Sequence, residues 1–527
     1  MVRAGHCALD RRRKNGQWHV ALGSHFIARG VFFNNATGRQ NLQTVGLSIT
    51  VNGVAVAIFM RLKIVIGDEK SLKEIFGFKG ASGFRLCPCC QLVCNHKTKT
   101  AKMGNSVRST CLQIRKFAPH TNDSIRRVVQ ELYDLSVEVV RNRASIKELE
   151  LMEYHYGFND TPMGFLSDAE LCSAPRDAVY FDWYHIFVIS GIFQKELQIF
   201  GVFLVASGLQ FAPMATRFLS DWTWPRYVAS PKQMFTGFDT NSDHLKCDGH
   251  TCTGSYEVLA VFVASVLIPL GFNLLGCESF LKLCDCMDLI LSAKYGVVGP
   301  ELLLETILAF LKAHRAAYGD LAWVPKHHYA IHLAMQLAFL ALLLGCNIHE
   351  IRHKMAKRWA KDRYTQSNFE GGCIEEITLQ HLHDMQNNWL VDGLLNPTVP
   401  KAYLLQSMHA LFGDHVEVLT ARVVHVSNRD FYAGDYAFAR TGDDGAQLVH
   451  MEFHVSLDSV PHTCVSLFAL APCANDSTWC RRFKKRDASP KMVASKNLIT
   501  SVTYLERGDC ISAIVPALVR MNGLQLC

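Results

Sequence analysis

The apolar positions change their period several times along the chain, and each change marks a different kind of element. Residues 1–40 hold no sustained period and read as a poorly structured arm, made basic by Arg11, Arg12, Arg13 and Lys14. From Leu42 to Glu69 the pattern is extended. Val45, Leu47 and Ile49 alternate, Asn52 and Gly53 offer a turn, and Val54 to Ile66 is rich in β-branched residues. Two or three strands are predicted there, the last ending at Gly67 and Asp68. Helical spacing begins at Asn122–Val140, where Ile125, Val128, Val129, Leu132 and Leu135 share a face and Asn122 or Asp123 is placed to cap it. Residues 146–155 continue that spacing, and apolar helical runs dominate as far as 346. A charged helical stretch covers Ile348–Asn388. Beyond 412, VEVLTARVVHV, DYAFART, AQLVHMEFHVSL and TCVSLFAL are short β-rich segments separated by turns such as TGDDG.

These changes organise the chain into an arm (1–40), a β-rich segment with a cysteine cluster (41–120), a helical body (121–346), charged helices (347–400) and a small antiparallel, barrel-like β domain (412–522). The fold class is α+β. At 527 residues the chain is long enough for two to four packed units, and 49% apolar against 19% charged residues excludes a disordered chain. The net charge of +7 permits a polyanionic partner without requiring one. Nineteen cysteines, an odd number, include Cys277, Cys284, Cys346 and Cys373 set singly in apolar stretches, as buried thiols of a reducing compartment. The first basic run precedes any apolar segment, which is unlike a signal peptide and compatible with a nuclear address. Three apolar stretches approach the roughly 20 residues that a membrane span needs. Lys195 and Glu196 interrupt the first, Pro269 and Asn273 the second, and His332 the shorter third, so all three read as core helices and membrane association is not expected.

Two clusters carry candidate chemistry. FRLCPCCQLVCNHK packs Cys87, Cys89, Cys90, Cys94 and His96 together. The CxxC spacing of Cys87 and Cys90 lets two thiolates reach one tetrahedral ion, with Cys94 or His96 as further ligands and His120 or His185 as distant ones. Zinc in a structural role is the expectation, and unliganded thiols the alternative. The second cluster, CNIHEIRHK, contains a literal HExxH in which His349 and His353 share a helical face beside Glu350, with Glu375 or Glu376 as a third ligand of a zinc metalloprotease. A solvated helix pairing Glu350 with Lys354 is the plainer reading. A third reading joins Glu350 to Asp68 and to Asp182 of FDWYHIF, because nucleic-acid strand transfer uses two or three carboxylates to hold divalent ions. Lys354, Lys357 and Arg358 would then face phosphate. Arg481, Arg482, Lys484 and Lys485 of RRFKKR form a second phosphate-contacting patch, or a solvated loop.

An ordered set of segments resembles eukaryotic cut-and-paste DNA transposases of the CACTA-like and Plavaka or KDZ-like groups, and the transposase-derived chains of dinoflagellate-type protists. The segments are GDEKSLKEIFGFKGASGFRLCPCC at 67–90, HTNDSI at 120–125, FDWYHIFVISGIF at 181–193, VPKHHYAIHL at 324–333 and the glutamate with basic residues at 350–358. The resemblance implies a ribonuclease-H-like mixed-sheet core, partial within 41–120, with a large helical insertion and with 347–400 as its closing helices. It implies Asp68 as the second catalytic carboxylate, Glu350 as the last, and Cys87 with Cys90 as a zinc pair. Asp182 and His185 match its DxxH motif in catalytic support or metal binding, and His328 and His332 lie on its histidine-bearing helix. Double-stranded DNA, Mg or Mn, a nuclear location and self-association are the implied partners and setting. One departure stands out: residues 42–60 contain no aspartate to serve as the first carboxylate, and Asp10 sits in the arm. The chain thus stands between a metal-dependent strand-cleaving or strand-transferring enzyme and a non-catalytic DNA-binding or interaction scaffold.

Overall fold

The computed structural model describes residues 64–92, 107–161, 165–167, 174–346 apart from 229, parts of 375–383, and most of 392–526. It also gives the backbone of four strands within 7–58. The chain divides into two compact units whose segments alternate in sequence, 1–187 with 318–382 and 188–317 with 383–527. The division cuts through the helical body instead of following the changes of period at 121 and 347, because period reports the kind of element and not its packing partner.

In the first unit, β1 (Cys7–Asp10) and β2 (His19–Leu22) pair as an antiparallel hairpin within the arm. Strands β3 (Leu47–Val51) and β4 (Val54–Ile58) form a second hairpin, with Val51 opposite Val54 across the two-residue turn at Asn52 and Gly53. Strand β5 (Val65–Gly67) pairs in parallel with β6 (Val179–Phe181), far away in sequence. Among the described residues these remain three separate two-stranded sheets. Ile66 and Tyr180 of the parallel pair pack with Cys346 in one buried cluster.

The helices of this unit start and stop on identifiable signals. Asp68 caps the helix Glu69–Phe76 by accepting from the Ser71 N–H at 2.7 Å, and Gly77 ends it in the left-handed conformation. Helix Asn122–Val140 is capped by Thr121 in a reciprocal box with Ser124, one residue before the expected cap. Ser145 and Glu148 do the same for Ile146–Tyr156. That helix ends at Gly157, with φ of 78°, where a Cβ would lie 2.1 Å from the Arg85 carbonyl oxygen, so only glycine lets the two backbones meet.

In the second unit, helices Ile192–Ala206, Phe211–Ser220, Gly249–Phe262 and Leu274–Ser292 bury an aromatic core in which Phe200 stacks on Phe280 with ring centroids 5.7 Å apart. The charge pair that interrupts the first apolar stretch is split by this packing. Lys195 reaches the Asp243 carbonyl at 2.8 Å, whereas Glu196 is fully buried, accepts from the Ser279 hydroxyl at 2.5 Å and meets His314 Nδ1 at 2.5 Å. A buried carboxylate is tolerated only with such partners. The stretches Trp183–Ala206 and Gly249–Leu267 have the length and composition to cross a membrane, and 61% of the most apolar 18 residues of each is buried inside the fold.

The remainder of this unit is largely antiparallel sheet. Strands β7 (Gly393–Leu395), β9 (Val423–Val426) and β10 (Arg429–Tyr432) form a three-stranded sheet. A larger sheet has β11 (Tyr436–Arg440), β12 (Gly445–Leu457), β13 (Val460–Leu470) and β14 (Cys480–Lys485) at its centre. Strand β8 (Val418–Ala421) pairs with β12, and β15 (Lys491–Ala494) with β13. Strands β16 (Leu498–Ser501), β17 (Tyr504–Arg507), β18 (Cys510–Ile514) and the short β19 (Gln525–Leu526) complete it. Alternate residues enter different cores, Phe438 and Leu448 with Phe468 and Phe483, and Ala437 and Val449 with Val465 and Val424, so the sheet is buried on both faces. The basic run expected in a loop lies on β14. There Arg481 and Arg482 are half-buried, and Lys484 and Lys485 are exposed, with Lys484 paired to Asp509 at 2.7 Å.

Candidate functional site

Two neighbouring features of the first unit gather chemistry. The first is a buried Cys2His2 group. Cys87 and Cys90 come from the loop after Gly83, and His328 and His332 come from the helix Pro325–Leu340, where a spacing of four residues puts both imidazoles on one face. Several contacts hold loop and helix together. The Tyr329 hydroxyl donates to the Leu86 carbonyl at 2.9 Å, the Cys90 backbone bridges to Pro119, and Phe117 packs on His328.

The four ligand atoms lie within 4.8 Å of one another. Cys87 Sγ is 3.3 Å from His332 Nε2, Cys90 Sγ is 3.2 Å from His328 Nε2 and 3.6 Å from His332 Nε2, and the two Nε2 atoms are 3.1 Å apart. A tetrahedral zinc ion with ordinary bond lengths would set sulfur–nitrogen edges of about 3.6 Å and a nitrogen–nitrogen edge of about 3.3 Å. The donor set therefore fits a metal ion such as zinc in size and chemistry. The Cys89 N–H donates to Cys87 Sγ at 3.3 Å, a bond that supports a thiolate. Burial pushes the Cys87 thiol up and His328 well below its usual value. Burial would also depress His332, but the adjoining Cys87 raises it to about 9. Among the described residues this is the one set of three or more Cys, His, Asp or Glu side chains gathered closely enough to hold an ion.

The second feature lies at the carboxyl ends of the parallel strands. Gly67 and Phe181 are register partners, so Asp68 and Asp182 follow side by side as the two strands end. The alternatives open for Asp68, strand-end acid or helix cap, are one position. Burial acts to raise its pKa, but the Ser71 N–H and hydroxyl together with His185 and Lys326 hold it below the usual carboxylate range. Asp182 is buried, with Oδ1 accepting from the Tyr184 N–H at 2.8 Å and Oδ2 meeting His185 Nδ1 at 2.5 Å. Lys326, one residue into the histidine-bearing helix, donates to the His185 carbonyl at 2.8 Å. Burial lowers the Lys326 pKa, opposed by the charges of Glu69, Asp68 and Asp182.

Of the metal ligands expected from sequence, Cys87 and Cys90 stand in the Cys2His2 group. His185 instead bonds Asp182, because its short helix follows β6 and turns the ring back onto the strand end. His120 meets the Ser124 hydroxyl at 3.3 Å. Cys94, His96, Glu350, His349, His353, Lys354, Lys357 and Arg358 lie outside the described residues. Glu375 is exposed, and neither it nor Glu376 joins a ligand group among the described residues. The pairing of His328 and His332 with the two cysteines, more than 230 residues away, is what residue spacing missed. Its only local signal is the four-residue spacing of two histidines on an apolar helix. No family model matches this chain, and no curated protein is significantly similar to it.

Proposed function

We propose that this chain is a DNA-transposon-derived protein that binds double-stranded DNA in the nucleus through its first unit. In this reading the unit is a ribonuclease-H-like remnant, and the Cys2His2 group holds a structural zinc ion that clamps the loop Cys87–Cys90 to the helix Pro325–Leu340. The observation that carries the reading is the parallel pairing of β5 with β6, which sets Asp68 and Asp182 beside each other at adjacent strand ends with Lys326 nearby. Carboxyl ends of parallel strands are where open sheets collect reactive groups.

Asp68 and Asp182, completed by Glu350, would hold Mg or Mn, which when bound supplies an activated water or hydroxyl for attack on a phosphodiester. Lys326 would lie against the phosphate, and His185 would fix the Asp182 carboxylate. The non-catalytic scaffold is a second reading, favoured by a specific feature: both oxygens of Asp182 already accept from the protein. Together with the missing first aspartate, that leaves few free lone pairs for an ion.

Purified chain incubated with supercoiled DNA and Mg²⁺ or Mn²⁺ separates these readings. Metal-dependent nicking that disappears in Asp68→Asn and Glu350→Gln supports the cleaving enzyme. Salt-dependent binding without nicking supports the scaffold. Failure to bind DNA at low salt refutes both.

A further inference from the structure

The second unit contains a cavity of about 270 Å³ bounded by the helices Gly249–Phe262 and Leu274–Ser292, the turn that follows the latter, and residues of β10, β16 and the segment after β18. This is at the small end of ligand pockets, the size of one nucleotide unit and far below a duplex. Its wall differs in character from one end to the other.

At one end stand two cations and two aromatic rings. Lys294 Nζ lies 5.0 Å and Arg429 Cζ 5.4 Å from the centroid of the Tyr295 ring, so both positive groups lie within cation–π range of one ring. Among the described residues neither cation has a carboxylate partner. Arg429 donates to the Ile499 carbonyl. Two like charges brought together without a counter-charge form a site for an anion. Tyr227 adds a second ring, its hydroxyl donating to the Ser501 carbonyl at 3.4 Å.

At the other end is Glu257. Its Oε1 accepts from the Ala517 N–H and from Arg520 Nη2, both at 2.9 Å, while the Tyr256 hydroxyl donates to Asp288 at 2.7 Å. Among the described residues Oε2 accepts nothing, which leaves an acceptor for a ligand N–H. Arg520 also binds Asp288 through both terminal nitrogens, so the carboxylate end is neutralised in part from behind and does not cancel the positive end.

We infer that this cavity binds a single nucleotide unit, with its phosphate at Lys294 and Arg429, its base against Tyr295 and Tyr227, and a base N–H on Glu257. The inference uses residues of the second unit alone and does not rest on the reading of Asp68 and Asp182. The phosphorylated nucleoside has two sources, a free mononucleotide or the end of a single DNA strand.

Calorimetric titration of the full chain with nucleoside monophosphates, inorganic phosphate, unphosphorylated nucleoside and a short 5′-phosphorylated single strand tests it. Mononucleotide or strand end should bind at least tenfold more tightly than inorganic phosphate or nucleoside, each of which offers half of the contacts. Lys294→Glu and Tyr295→Ala, both at exposed positions and checked for an unchanged circular-dichroism spectrum, should each weaken that binding about tenfold or more. Tighter binding of the strand end identifies DNA as the source, and tighter binding of the mononucleotide identifies a free ligand. Absence of saturable binding, equal binding of inorganic phosphate, or binding indifferent to both substitutions overturns the inference.

Discussion

With the Cys2His2 group holding zinc as proposed, chelation should destabilise the first unit by a large and measurable amount. The four ligands are buried, and each cysteine sulfur lies within hydrogen-bonding distance of an imidazole Nε2 on a helix distant in sequence. A metal present at a thousandfold its dissociation constant stabilises the folded state by about 4 kcal/mol. In a unit of roughly 250 residues, each kcal/mol moves the melting midpoint by about 2–4 °C, so a strong zinc chelator should lower it by about 8–16 °C. Cys90 is the ligand to remove, because its sulfur approaches both imidazoles. Cys90→Ala should purify without stoichiometric metal, melt at the chelated wild-type temperature and respond no further to chelator, since the two perturbations remove the same interaction. Cys111→Ala is the control, a cysteine of the same unit whose sulfur meets Gln113 and takes no part in the site. Thermal melting followed by fluorescence, with metal content by mass spectrometry, reads all of this. The reasoning is refuted if the chain carries no metal and gains no stability from added zinc, or if Cys90→Ala keeps a full equivalent.

Three further outcomes follow from the packing and the buried charges. Gly201→Ala would place a Cβ 2.7 Å from the rings of Phe211 and Phe238, and the overpacking should cost about 1–3 kcal/mol in urea unfolding. His454 is buried, bonded through Nδ1 to the Thr463 hydroxyl at 2.9 Å, and burial pushes its pKa down to about 4. Its depressed folded pKa contributes stability present above the unfolded value of about 6.5 and lost as pH falls through about 4, so His454→Gln should flatten the acid limb of a melting-versus-pH curve. Arg520→Met would leave the buried Asp288 and the half-buried Glu257 without their cation. It should cost about 3–5 kcal/mol near neutral pH, with part of the loss recovered in acid, as guanidinium unfolding at two pH values would show.

Period and turn chemistry made the local elements legible in the sequence. The hairpin at Asn52 and Gly53, the helix Asn122–Val140 and the short β segments after 412 follow from alternation, helical spacing and turn residues, which act over a few positions. CxxC likewise marked Cys87 and Cys90, because two thiolates on one turn are a local device. What the amino-acid sequence could not set out is which distant elements meet. The cysteine loop finds its other two ligands on a helix whose histidines, read alone, are equally good core residues, and only packing brings them within 4.8 Å. The same holds for Asp182, whose neighbour Asp68 is fixed by a parallel pairing across 113 intervening residues, and for Glu196, whose burial depends on Ser279 and His314 arriving from other helices. The sequence by itself determined the elements and the kinds of ligand available. Tertiary structure decided which ligands share a site, because closing long loops depends on the summed burial of whole elements and not on any residue's own preference.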